Sequence, residues 1–225
     1  MATGMGEVDL NKERLELALE AAGLDLWEND LITGNVTRKA TKTFEELGFT
    51  EEEIVSGVQD IYGLAPLQAG ILYHHLATTE GDPYGLQVQF SFADQAAVDA
   101  FIHALHSVIE RHDILRTAIL WDGLDEPVQV VLREASLTVE RIDEPLAQLQ
   151  QRFDPRHFRL DLSRAPLMHF AYSEQQGRFV GILLLHHILL DHTALQVLVQ
   201  EISASLDGRS AHLPVAVPYR NYVAQ

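Results

Sequence analysis

One apolar run followed at once by a helical pattern sets the strongest constraint on how this chain can fold. Residues 179–185 are apolar apart from one glycine, which is typical of a strand buried on both faces and too short to span a membrane. Apolar residues then recur at helical spacing from Leu195 to Leu206. Thr193 and Gln196 form a capping-box pattern, which predicts that the helix begins there. The segment therefore predicts a buried strand, a turn and a helix.

Three histidines and one aspartate lie in the predicted turn: His186, His187, Asp191 and His192. Neighbouring residues of a strand point to opposite faces, so we expect one of His186 and His187 to face a cleft and the other the packed side. A histidine near neutral pH can take a proton from an amine or orient it. Asp191 can fix a histidine tautomer, pair with an arginine or stabilise the helix terminus. A histidine pair that merely ends a buried strand is the simpler alternative.

This run resembles the His-His-x-x-x-Asp-Gly motif of the condensation domains of nonribosomal peptide synthetases, which belong to the chloramphenicol-acetyltransferase-like superfamily. The resemblance implies that His187 lies at the centre of a tunnel where an amide bond forms, and that Asp191 is mainly structural. His192 stands where the family usually has glycine. A titratable ring is therefore expected near the tunnel, and His186, His187 and His192 are the candidate catalytic residues.

Two segments on either side are similar to further motifs of that family. Asp60–Leu76 resembles the first core motif and predicts a loop that leads into a helix, with Pro66 in its first turn. Residues 213–222 resemble the fourth motif. Together with the histidine run, these segments occur in the order that the family shows.

The segment Arg111–Thr117 is similar to the second family motif, Arg-His-Glu-x-Leu-Arg-Thr, with aspartate in place of glutamate. In the family the second arginine of this motif pairs with the aspartate of the histidine motif. The resemblance therefore implies a buried ion pair between Arg116 and Asp191. A buried pair is costly to break from one side, so both residues are assigned to the architecture of the site.

His74 and His75, followed after a short spacer by Gly81 and Asp82, resemble the extended signature of dual epimerization/condensation domains. Such domains invert the α-carbon of the donor residue before they join it to the acceptor. The resemblance makes His74, His75 and Asp82 candidates for a role in epimerization. Polar residues at a helix end are the simpler interpretation of the same pattern.

The patterns between these motifs predict a mixed α/β lobe. Gln87–Phe92 alternates like a strand with one wet face, and the apolar spacing after Asp94 predicts a helix capped by that residue. Asp122-Gly123 predicts a turn or a hairpin. The expected fold is a chloramphenicol-acetyltransferase-like lobe, a mixed sheet flanked by helices.

Residues 1–58 are predicted to form a separate unit with the order helix, hairpin, helix, helix. This order resembles the small docking domains at synthetase N-termini, in which an exposed hairpin receives the C-terminal tail of an upstream subunit. The hairpin residues Trp27, Asn29, Val36 and Arg38 are the docking candidates. The same stretch also resembles the start of a PAS sensor domain, and a solvated linker is the simpler alternative.

Composition excludes several classes of protein. A net charge of −17 over 225 residues argues against a nucleic-acid binder, which needs a basic face, and against binding to anionic membranes. The absence of cysteine excludes a disulfide framework and a thiol nucleophile. No signal peptide or membrane span is recognisable, so a cytoplasmic location is expected.

The resemblance implies amide-bond formation between aminoacyl or peptidyl thioesters carried on the phosphopantetheine arms of carrier proteins, with no directly bound cofactor and no metal. Residues 59–225 are expected to be the N-terminal lobe of a two-lobed condensation domain, inactive without the remaining lobe. Two alternatives stay open. One is a free-standing trimeric acyl-CoA acetyltransferase, and the other is a non-catalytic docking module for an upstream synthetase subunit.

Overall fold

The computed structural model describes residues 57–223, and the structural statements below refer to those residues. The predicted N-terminal unit, residues 1–58, lies outside the described residues except for Gly57 and Val58. The docking candidates lie outside them as well: Trp27, Asn29, Val36 and Arg38.

The described residues form strands, α-helices and two short 3₁₀ helices. The strands are β1 (Val58–Gly63), β2 (Gly85–Phe92), β3 (Thr117–Leu120), β4 (Val128–Leu132), β5 (Thr138–Arg141), β6 (His169–Gln175) and β7 (Arg178–His186). The α-helices are α1 (Pro66–Ala77), α2 (Gln95–Arg111), α3 (Leu146–Arg152), α4 (His192–Leu206) and α5 (Arg220–Val223). The 3₁₀ helices are Asp113–Arg116 and Ser210–His212. None of the described helices combines the length and the apolar character needed to cross a bilayer.

The predicted buried strand, β7, lies inside a four-stranded sheet with the order β2-β7-β6-β5. It pairs antiparallel with β2 on one side and with β6 on the other, while β5 runs parallel to β6. The register with β2 places Gly85 opposite His186. The first histidine of the motif therefore lies at the end of a strand that is held on both edges.

Helices cover both faces of this sheet, as the continuous apolar run predicts. Leu183 and Leu185 belong to the core formed with α2 and α4, whereas Ile182 and Leu184 belong to a second core with α3. Asp94 caps α2 as predicted, since its Oδ1 accepts the Ala97 N–H at 2.8 Å. The alternation along β7 puts the His186 side chain on the face that α3 covers.

Two local predictions were wrong. The segment that begins at Asp60 is not a loop, because residues 58–63 form β1 and pair antiparallel with β4 in a second sheet with the order β1-β4-β3. Helix α4 does not begin at Thr193, because Asp191 is its N-cap and accepts the Ala194 N–H at 2.7 Å. An aspartate at this position satisfies a free N–H of the first turn, so the local capping bond determines where the helix begins.

Candidate functional site

His186 is buried at the end of β7 and uses both ring nitrogens. Its Nε2 lies 2.8 Å from Asp82 Oδ2, and its Nδ1 accepts the backbone N–H of Ile188 at 3.0 Å. Because Nδ1 accepts a proton donor, the proton of the neutral ring is assigned to Nε2, which donates to the carboxylate. His186 is therefore held in one tautomer by a strand end, a turn and an aspartate.

The Asp82 carboxylate accepts hydrogen bonds from three groups at this site. Its Oδ2 also accepts from His75 Nδ1 at 2.6 Å, and its Oδ1 accepts the Tyr84 N–H at 3.0 Å. His75, Asp82 and His186 are 5%, 3% and 1% exposed. Burial alone raises the pKa of a carboxyl, but the hydrogen bonds from His186 and His75 hold the pKa of Asp82 well below its usual range. The structure thus brings the end of α1 and the end of β7 together through one ionised side chain.

Two of the three candidates for epimerization belong to this cluster, and the third does not. The rings of His75 and His186 are 5.8 Å apart, in an edge-to-face arrangement. His74 is exposed, and its ring lies 6.0 Å from the ring of Tyr84. His75 and Asp82 therefore form a buried pair beside the histidine motif. His74 does not join them, because its side chain lies on the exposed surface.

The loop before Asp82 depends on a glycine and on the segment that follows α3. Gly81 has a positive φ of 68°, and a Cβ at this position would lie 2.3 Å from the backbone oxygen of Arg156. The Asp82 N–H donates to Pro155 O at 2.6 Å. Only glycine fits both the backbone conformation and the close approach.

Arg159 holds the same loop, although its sequence context indicates only a solvated cation. Its guanidinium donates to His75 O at 2.7 Å, Thr78 O at 2.5 Å and Gly81 O at 2.8 Å. These acceptors include carbonyls that the end of α1 leaves without helical partners. The weak signal for this role is the position of Arg159 between Phe158 and Leu160.

Replacing Arg159 with methionine is expected to lower the free energy of unfolding by about 2 kcal/mol, because three carbonyls lose a charged donor in a half-buried place. Arg164→Met is the matched control, since the Arg164 side chain is 81% exposed and only meets Asp161. The control is expected to change stability by less than about 0.5 kcal/mol. Urea unfolding of both variants measures the difference, and equal effects would contradict the assigned role of Arg159.

His187, the residue aligned with the central histidine of the family motif, is partly exposed. Its Nδ1 lies 3.0 Å from Leu190 O, and its backbone N–H donates to Tyr84 O at 2.9 Å. A carbonyl only accepts, so the ring proton is assigned to Nδ1 and the lone pair to Nε2. His186 and His187 therefore differ as expected, one buried in a network and the other presenting a basic nitrogen.

Asp191 and His192 lie on the exposed side of the turn. Asp191 caps α4, which is one of the three roles left open by the sequence. The imidazole Nε2 of His192 lies 3.1 Å from the Gln196 amide nitrogen, one helical turn further on. Burial raises the pKa of the Tyr219 hydroxyl, and the charge of Asp191 raises it further. The charge of Asp191 therefore acts on the segment that resembles the fourth motif.

The predicted ion pair between Arg116 and Asp191 is wrong. Arg116 is buried, and its NH1 donates to Gln59 Oε1 at 2.8 Å and to the backbone oxygens of Leu132 and Arg133. It therefore binds the end of β4, while Asp191 uses a carboxylate oxygen to cap a helix. The architectural role expected of both residues is consistent with these contacts, but they serve different parts of the lobe.

The buried cluster has the residue types of a metal site, and its hydrogen bonds argue against one. His75, Asp82 and His186 each offer a ligand atom within 4.8 Å of the others. A neutral metal-bound imidazole carries its proton on the other ring nitrogen and donates it. His186 Nδ1 instead accepts the Ile188 N–H. The rings of His75 and His186 are therefore better suited to share the Asp82 carboxylate through hydrogen bonds than to bind a cation.

The fold and the histidine turn define a lobe of the chloramphenicol-acetyltransferase-like class. The starter condensation domain of rhizomide synthetase RzmA has a TM-score of 0.57 and 18% identity, over 74% of this chain and 43% of that chain. At this identity the likeness concerns the fold.

Sequence comparison identifies the family. The family profile described as Condensation domain matches residues 58–225, and the chain belongs to that family. Malpinin synthetase and malpibaldin synthetase, both of Mortierella alpina, are 46% and 44% identical over 178 residues, or 76% of this chain. The matched region spans only 2% and 3% of those relatives.

Proposed function

We propose that this lobe contributes His187 to an active site that joins two carrier-bound substrates by an amide bond. The observation that carries the proposal is the geometry of His187, whose Nδ1 donates to Leu190 O while the ring is partly exposed directly after the end of β7. A fixed tautomer with a free basic nitrogen suits a group that orients an amine or receives its proton.

In the proposed reaction the acceptor amine attacks the carbonyl carbon of the donor thioester. The new C–N bond forms as the C–S bond breaks, and the donor pantetheine leaves as a thiol. The proton lost by the amine passes through His187 Nε2 to the departing sulfur. Because both substrates are tethered, the encounter becomes local, and this proximity supplies much of the rate.

The partners in this proposal are peptidyl or acyl carrier proteins that bring substrates on phosphopantetheine, together with the remaining lobe of the condensation domain. The family match supports them, because this chain resembles only a small part of each synthetase relative. The same match favours this reaction over a free-standing trimeric acetyltransferase. A non-catalytic lobe that docks an upstream subunit is the competing proposal, and an activity assay separates the two.

Epimerization of the donor residue is a second proposal, favoured by the contact between the His75–Asp82 pair and His186. The members of that cluster are buried, so they suit support of the strand end rather than direct contact with substrate. The base that removes the α-proton is then His187, whose Nε2 carries the lone pair. His74 and His192, both exposed, are the candidates to assist.

The test is a single-turnover reaction of a chain that carries the complete condensation domain, with an aminoacyl donor carrier protein and an acceptor carrier protein. We expect a dipeptidyl thioester on the acceptor carrier, detected by mass spectrometry. In D₂O without acceptor, epimerization predicts deuterium at the donor α-carbon, and chiral analysis of the dipeptide predicts the inverted residue. Carrier binding without amide formation would favour the docking module, and a product without deuterium or inversion would reject epimerization alone.

A further inference from the structure

A pair of buried glutamines connects the start of α1 to the histidine turn. Gln68 Nε2 donates to Gln129 Oε1 and to the Ile188 carbonyl, each at 3.0 Å. Gln68 Oε1 accepts the Ala65 N–H at 2.9 Å and Gln129 Nε2 at 2.7 Å. The Gln68 carboxamide thus uses both hydrogens and both acceptor positions. The reverse orientation would place two carbonyl oxygens together at Ile188, so the contacts assign the amide orientation.

These bonds restrain the residue that follows His187 from two sides. The Ile188 N–H donates to His186 Nδ1, and the Ile188 carbonyl accepts from Gln68. His187 itself donates its backbone N–H to Tyr84 O. The peptide groups on both sides of His187 are therefore hydrogen-bonded. The turn is closed by the Leu189 N–H, which donates to His186 O at 3.3 Å, and by His187 Nδ1, which donates to Leu190 O.

Burial explains why this pair can determine a conformation. Gln68 is 3% exposed and Gln129 is 0% exposed, in a strand of apolar neighbours. A buried amide that loses its partners carries a large desolvation cost, so competing arrangements of the turn are disfavoured. The sequence carries a signal for this pair, because a glutamine inside the run Val128-Gln129-Val130-Val131 requires a polar partner.

We propose that Gln68 is a positioning residue for His187: through the Ile188 carbonyl it holds the turn in which the His187 ring keeps its proton on Nδ1 and its lone pair on Nε2. This inference rests on the proposed function of His187 for its effect on catalysis. Its structural part, the control of the ring tautomer, stands apart from any reaction.

The test measures the tautomer and the rate separately. In Gln68→Met, ¹⁵N NMR of histidine-labelled protein is expected to show that His187 has changed from one tautomer to a mixture. In a chain with the complete condensation domain, the same variant is expected to lower kcat roughly tenfold with little change in KM, because a misplaced ring affects the step more than the binding. The matched control is Gln89→Met, which removes an exposed glutamine that accepts from Gln150 at 2.8 Å.

The outcomes separate this inference from the proposed function. An unchanged His187 tautomer in Gln68→Met would overturn the inference. An equal disturbance of the tautomer in Gln129→Met, in which Gln68 can still donate to the Ile188 carbonyl, would also overturn it. A changed tautomer supports it, even if the wild-type domain forms no amide and the proposed function fails. If Gln68→Met does not fold, Gln68→Glu keeps the side-chain shape while its ionised form loses both donors, and the same NMR readout applies.

Discussion

Replacement of His187 with alanine, in a chain that carries the complete condensation domain, is expected to slow amide formation about 10²–10⁴-fold, the usual contribution of a positioned acid–base group. The ring presents Nε2 from a partly exposed place and holds its tautomer through Leu190 O. Its removal takes away the group that, in the proposed reaction, receives or relays the proton of the amine. Single-turnover rates with saturating carrier-bound substrates measure this effect directly.

The control for this experiment is His103→Ala. His103 is exposed on α2, outside the histidine turn, and none of the proposed roles involves it. We expect a rate close to that of the wild type for condensation, together with an unchanged unfolding transition for both variants. Wild-type turnover in His187→Ala would contradict the proposed role of the ring and would favour substrate tethering as the main source of the rate.

The second large effect is expected for Asp82→Asn, which should lower the free energy of unfolding by about 3 kcal/mol. Three donors converge on the carboxylate: His75 Nδ1, His186 Nε2 and the Tyr84 N–H. An asparagine offers one acceptor oxygen, so at least one of these donors must face an amide N–H. The loss combines broken charged hydrogen bonds with a polar group left unpaired in the interior.

The dependence on pH gives this prediction a second measurement. The folded-state pKa of Asp82 lies below its unfolded value, so its contribution to stability is present above about pH 4 and is lost as the pH falls through the folded pKa. Urea unfolding between pH 7 and pH 3 should show the onset of this loss below about pH 4 in the wild type, and a smaller change in Asp82→Asn.

The matched control is Glu80→Gln. Glu80 also faces a histidine, His157, but the Glu80 side chain is 79% exposed and the separation is 3.5 Å. A surface pair of this kind contributes little, so the substitution should change stability by less than about 1 kcal/mol. A wild-type unfolding midpoint in Asp82→Asn would show that the cluster does not depend on the charge.

Local patterns predicted the strand that carries the site, because a continuous apolar run describes burial on both faces wherever the strand lies in the sheet. They also predicted the cap of α2 at Asp94 and the opposite environments of His186 and His187, since capping and alternation involve neighbours in the sequence. The start of α4 was misplaced because two local capping signals compete there. The hydrogen bond from the Ala194 N–H to Asp191 outweighs the capping box at Thr193.

The partners of the site residues could not be predicted in the same way. Asp82 and His186 are 104 positions apart, and no periodicity reports which distant side chains meet. The error at Arg116 has a similar origin. The resemblance supplied a partner, Asp191, whereas the fold of this chain places open carbonyls at the end of β4 beside the guanidinium.

The position of β7 between two antiparallel partners has a consequence for how the site behaves over time. Strand amides that are bonded on both edges open to solvent only when the surrounding sheet comes apart, so this segment belongs to the slowest-exchanging part of a domain. Local opening at the rim of the lobe is therefore expected to leave the backbone that carries His187 in place. Under the proposed function, the motion needed for the reaction would then come from the tethered substrates and not from this strand.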